Sequence, residues 1–192
     1  DIFDYPDWYM QELLLYGDCI GAVIVDDNNE YEAILYSSDD LSKETLYNLG
    51  SWDGEVKFRL KNNKIYILNR KSDDDIYSIY EYNLNTKKTK EILTLECETA
   101  EFALNEGDFE FCIYSDDTLY CFSENKIEYT FEWKKYGYVP VVMNVSVVDK
   151  SNITIFGLDI YNKFMIYNFT ESNGQFKGRK SVNIVENLDL ND

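Results

Sequence analysis

Short apolar runs set the rhythm of this chain. From Cys19 onward, stretches of five to eight residues rich in Tyr, Ile, Phe and Val alternate with clusters of Asp, Asn, Gly and Lys. "EVKFRL", "KIYILN", "DFEFCIY", "TLYCFS" and "NITIFG" are clear instances, and no long helical stripe interrupts them. Runs of that length with period-two alternation, bounded by turn formers, predict β-strands. Residues 7 to 16, "DWYMQELLLY", are ambiguous. They read equally as a short helix capped by Asp7 and closed by Gly17, or as a strand.

The runs repeat. "YEAILYSSDDLSKETL" (31–46) lies on "YSIYEYNLNTKKTKEIL" (77–93), with Tyr31 on Tyr77, a strand, a polar turn and then Lys-Glu. In that phase two later units follow, over 108–131 and 152–176. Marking the acidic turn of each unit by Asp27, Asp74, Asp117 and Asp159 gives spacings of 47, 43 and 42 residues. A period of about 40 to 45 residues with four strands per repeat is the sequence signature of propeller blades. The expectation is an all-β chain of about four antiparallel four-stranded repeats, propeller-like, with units near 19–50, 55–96, 98–133 and 141–184. Residues 1–18 stand apart as an N-terminal segment and 185–192 as a tail. A β-sandwich or a curled meander is the alternative.

"IYSIYEYNLNTKKTKEIL" and "KFMIYNFTESNGQF" resemble the outer strands of propeller repeats of the kelch and TolB type, where a strand, a short polar turn and a last strand complete a blade. The resemblance covers about residues 19–184, without a Gly-His/Trp-Asp pair or a kelch double glycine. It implies that the turns between second and third strands share one face with the loops joining blades. On that implication Asp26, Asp27, Asp73, Asp74, Asp75, Asp116, Asp117 and Asp159 crowd one end of a channel. Trp52, Trp133, Tyr136 and Tyr138 edge it. Ser-Asp-Asp is written at 38–40, 72–74 and 115–117, but Ser38-Asp39-Asp40 falls on a different turn of its unit and is out of phase.

Charge sharpens this picture. Lys plus Arg number 18 and Asp plus Glu 36, a formal net charge of −18. Such a field repels nucleic acid and anionic membranes and attracts basic partners. The chain has no histidine, which excludes the usual Ser-His and Cys-His nucleophiles and removes the commonest metal ligand. A carboxylate-only glycosidase needs just two carboxyl groups about 5 to 10 Å apart, which so acidic a chain always supplies. Enzyme activity is therefore left without a specific signal.

The acidic turns call for no cofactor. Calcium is the ion they would suit, yet "DDNNEYEAILYS" departs from the EF-hand loop, with Tyr31 at the glycine position and Ser37 at the bidentate glutamate position. Asp also favours tight turns for its own local hydrogen bonds. Cys19, Cys97, Cys112 and Cys121 lack metal-site spacing. A hairpin with Asp116-Asp117 at its tip sets Cys112 opposite Cys121, where a cross-strand disulfide and two buried thiols are both open.

The function expected is a non-enzymatic binding module that presents this acidic, aromatic-edged loop face to a basic protein or peptide segment or to a cationic ligand. The alternatives are a carbohydrate-binding or carbohydrate-active propeller stacking sugars on Trp52, Trp133, Tyr136 and Tyr138, and an acidic inhibitor or immunity-type protein neutralising a basic partner.

Overall fold

Val56, Phe58 and Leu60 are buried while Lys57, Arg59 and Lys61 between them are not, the alternation that one pleated strand imposes on its two faces. The computed structural model of the chain is built almost wholly from such strands. It is described here at residues 8–16, 19–37, 40–71, 75–105, 107, 109–115, 117–136, 141–158, 163–172 and 175–181. The chain divides into two compact units, Asp1–Glu98 and Thr99–Asp192.

The first unit holds two antiparallel meanders. Sheet 1 is β1 (Trp8–Tyr16), β2 (Cys19–Asp26), β3 (Glu30–Ser37) and β4 (Asp40–Ser51), in that spatial order. Sheet 2 is β5 (Glu55–Lys61), β6 (Lys64–Arg70), β7 (Ile76–Asn83) and β8 (Lys88–Glu96), likewise in order. Val23, Ala33 and Leu35 of sheet 1 share one core with Phe58, Ile65 and Ile67 of sheet 2. The Tyr31 and Phe58 rings meet there at 5.5 Å. Glu12 adds a polar tie, its Oε2 accepting the Phe58 N–H at 2.6 Å.

The segment that the sequence left between helix and strand is β1, so sheet 1 begins before Cys19. Asp7 and Gly17 lie outside the described residues. A bulge between Met10 and Glu12 moves the strand's alternation by one residue, which hides its period.

The second unit repeats the scheme with one addition. Sheet 3 runs in the order β13 (Lys126–Glu132), β12 (Thr118–Ser123), β11 (Phe111–Ser115) and β9 (Glu101–Phe102). Sheet 4 comprises β14 (Val141–Asp149), β15 (Asn152–Leu158), β16 (Phe164–Ser172) and β17 (Gln175–Ser181). A two-residue strand, β10 (Leu104–Asn105), joins β14 in parallel and makes sheet 4 five-stranded, which the repeat pattern does not announce. Cys121, Phe131 and Trp133 pack with Val147, Ile155 and Phe169 as this unit's core.

Turn chemistry matches the hairpins. Asn62 and Asn63 (φ 49° and 59°) form the two-residue β5–β6 turn, and Glu124 and Asn125 (φ 52° and 61°) the β12–β13 turn, all in the left-handed region that mirror-image hairpin turns require. Gly21 answers a different need. A Cβ there would stand 2.3 Å from the Ile34 carbonyl oxygen, so only glycine lets β2 and β3 approach at that point.

Candidate functional site

The described acidic turns, those of the first three units, fall where the repeat phase puts them. Asp26 ends β2 and Asp27 follows it in the turn to β3, Asp75 lies between β6 and β7, and Asp117 between β11 and β12, each turn joining the second and third strands of its sheet. Asp40 begins β4, so the out-of-phase Ser-Asp-Asp belongs to the β3–β4 connection. Asp73, Asp74, Asp116, Asp159 and Tyr138 lie outside the described residues.

Within the first unit, connections draw several carboxylates to one strand end. The segment between β4 and β5 is three residues long, and Trp52 N–H donates to the Asn29 carbonyl at 3.2 Å. Buried Asn69 donates through Nδ2 to the Asp53 and Glu55 carbonyls at 2.8 and 3.3 Å. Arg70 Nη1 donates to the Glu98 carbonyl at 2.9 Å, and Cys97 N–H to that of Asp75 at 2.8 Å. Asp26, Asp27, Asp53, Glu55, Asp75 and Glu98 therefore share one end of sheets 1 and 2. The opposite end of sheet 2 is written "KNNK" and "NLNTKK", with Lys61, Lys64, Lys87 and Lys88 and no carboxylate in either turn. Sheet 2 is thus polarised along its strands.

Several of these carboxylates serve the fold. Asp26 accepts the Asn28 and Glu30 N–H groups through Oδ1, each at 2.9 Å, and Asn28 Nδ2 through Oδ2 at 3.0 Å. The Glu30 N–H, with the Asn28 side chain next, holds the Asp26 carboxyl below its ordinary value. Asp75 meets Arg70 Nη2 at 2.8 Å. Glu55 accepts the hydroxyl of buried Tyr77 at 2.9 Å and faces Lys57 Nζ at 2.6 Å. Burial works to raise the Glu55 carboxyl, but those two hydrogen bonds bring it below the ordinary range. Asp27 and Asp53 are exposed.

Asp117 belongs to the second unit. Its Oδ2 lies 3.0 Å from Lys134 Nζ, and that ammonium, the leading influence, holds the carboxyl low.

One of the aromatic residues, Trp133, requires a correction. Trp133, expected at a ligand-facing edge, is 1% exposed and lies in the core, so it is no stacking platform. The signal for this was present, since Phe131 and Trp133 continue the inward alternation of β13. Trp52 is half-buried, with Nε1 donating to the Leu49 carbonyl at 3.0 Å and its ring edge-on to Tyr80 at 4.7 Å. Tyr136 is 45% exposed and stacks on Phe131 at 5.3 Å.

Cys112 stands directly opposite Cys121, in the register the hairpin predicted, and both are buried free thiols. Among the described residues no group of three Cys, Asp or Glu is arranged to hold a metal ion. No helix among them is long and apolar enough to cross a membrane.

Comparison with solved structures defines the class as β-propeller-like. The β-propeller domain of the Trilobed protease from Pyrococcus furiosus matches 93% of this chain with a TM-score of 0.58 at 14% identity. A structure from work on two prolyl endopeptidases matches 95% with a TM-score of 0.54 at 16% identity, and the acylaminoacyl peptidase of Pyrococcus horikoshii matches 92% with a TM-score of 0.50 at 12% identity. This chain spans 58, 28 and 33% of those three chains, respectively. At these identities the likeness is one of fold. No family model and no curated protein sequence matches the chain.

Proposed function

We propose that this chain is a non-enzymatic protein-interaction module whose first unit offers its acidic strand end to a basic protein segment. The observation that carries this reading is the polarity of sheet 2, with Asp53, Glu55, Asp75 and Glu98 at one end and lysine-bearing turns at the other. At that end the carboxylates outnumber the cations Lys57, Arg70 and Lys71, and in a chain of net charge −18 such an excess steers cationic segments before contact. Asp26, Asp75 and Glu55 are engaged in holding turns and strands, so the part left to a partner centres on exposed Asp27 and Asp53.

The test is titration of a fluorescent Lys/Arg-rich peptide with the wild-type protein, with D27N/D53N and with the control E124Q, whose side chain in the second unit is 86% exposed. The double variant should bind about 3- to 10-fold more weakly, the scale of one or two exposed charge pairs. It should also show a shallower dependence on salt, while E124Q matches wild type. Equal weakening by E124Q would reduce the interaction to net charge and remove the site.

A further inference from the structure

At the other end of the first unit, sheets 1 and 2 part to leave a cleft of about 500 Å³. Its sides carry Tyr16, Tyr36 and Tyr47 from sheet 1 and the Asn62-Asn63 turn from sheet 2, over a floor that includes Leu35 and Leu60. We propose that this cleft binds a neutral carbohydrate, a site separate from the acidic end and independent of its reading.

Pockets of about 300 to 1,000 Å³ with mostly apolar and aromatic walls and a few placed polar groups are the usual form of small-ligand sites. The chemistry here selects within that class. Tyrosine offers a flat apolar face with a polar tip, which suits the alternating C–H and O–H surfaces of a sugar ring. Tyr47 is held in place, edge-on to Tyr82 at 6.3 Å, with the Lys87 ammonium 5.9 Å from its ring centre. Tyr16 is 38% exposed, and its hydroxyl donates to Asn62 Oδ1 at 2.5 Å.

The asparagines are the telling choice. Asn suits left-handed turn positions, and here both positions of the turn carry the neutral amide. Each amide both donates and accepts, as paired hydroxyls require, and no charged side chain lines the cleft among the described residues. The nearest charges, Lys61 and Lys64 flanking the turn and Lys87 against Tyr47, lie outside that lining, and acidic sugars test whether they recruit an anion instead.

The experiment is a nitrogen-15 NMR titration of the full chain with defined neutral oligosaccharides (gluco-, manno-, xylo- and chito-hexamers), each at up to about 10 mM, ample for millimolar binding. Hexamers of uronic acids and sulfated sugars run in parallel. The expected result is that at least one neutral hexamer shifts the side-chain amide signals of Asn62 and Asn63. N62G/N63G, which keeps the turn conformation, should then weaken that binding at least tenfold, and Tyr16→Ser, which removes the partner of Asn62, should weaken it too. The proposal is overturned if no neutral hexamer binds, if only the acidic sugars bind, or if binding persists in N62G/N63G. Binding of the basic peptide should be unaltered in these variants, which separates failure here from failure of the acidic-end reading.

Discussion

The Lys134 ammonium lies 3.0 Å from Asp117 Oδ2, while the Trp133 N–H donates to the Asp117 carbonyl at 3.1 Å. The tip of the β11–β12 hairpin is thereby fastened to the end of β13 through both backbone and side chain. What reads in the sequence as a candidate ligand is here a turn aspartate with a cation of its own. The ammonium depresses the Asp117 pKa, so the folded state gains from ionised Asp117. That gain is complete above the unfolded carboxyl value and is lost as pH falls through the folded one. With the two side chains 73% and 37% exposed, the pair is worth about 0 to 1 kcal/mol. Thermal melts of wild type and D117N should differ slightly at pH 6 and converge near pH 3; a gap that widens on acidification would contradict the assignment.

Glu12 joins two sheets across 46 residues of sequence by accepting the Phe58 N–H. Removing a charged acceptor from a part-buried N–H costs about 1 to 3 kcal/mol. Urea unfolding of E12A should show that loss. A midpoint equal to wild type would mean that water replaces the carboxylate without penalty.

Trp133 is a core residue, and W133A should be among the most damaging substitutions, at about 3 to 5 kcal/mol. Tyr136→Ala, at an exposed position stacked on Phe131, should cost much less. Unfolding midpoints of the two variants decide the point, and similar values would place Trp133 outside the core.

Strand rhythm and repeat phase are local properties, and the sequence exposes them well. The turns at Asp27, Asp75 and Asp117 each follow the second strand of a sheet. The β11–β12 register, down to Cys112 opposite Cys121, follows from counting outward from a two-residue tip. β1 was harder because its bulge breaks the alternation that marks a strand. The two residues of β10 are too few to show any period.

Side-chain engagement is less legible than backbone pattern. Nothing in "DDNNE" tells that Asp26 closes the turn while Asp27 is left exposed, because the difference lies in which carboxylate reaches Glu30 N–H. The tyrosine and asparagine cleft is hidden for another reason. Tyr16, Tyr47 and Asn62 meet only when two sheets pack, and no short window of sequence contains all three.

The described acidic turns serve structure and docking, with no ion required. Thermal melts with millimolar calcium and with excess chelator should therefore coincide. An ion at about 100 times its dissociation constant would add about 2.7 kcal/mol to stability, an easily visible shift. Such a shift would make the turns an ion site instead.

The central claim, an acidic strand end that receives a basic segment, is tested most directly by mapping a Lys/Arg-rich peptide onto the backbone amide signals of the nitrogen-15-labelled chain. Shifts should concentrate at residues 26–30, 52–55 and 75–76, with the lysine-bearing turns at 61–64 and 84–88 unmoved. Shifts spread evenly over both units, or gathered at those lysine turns, would contradict it.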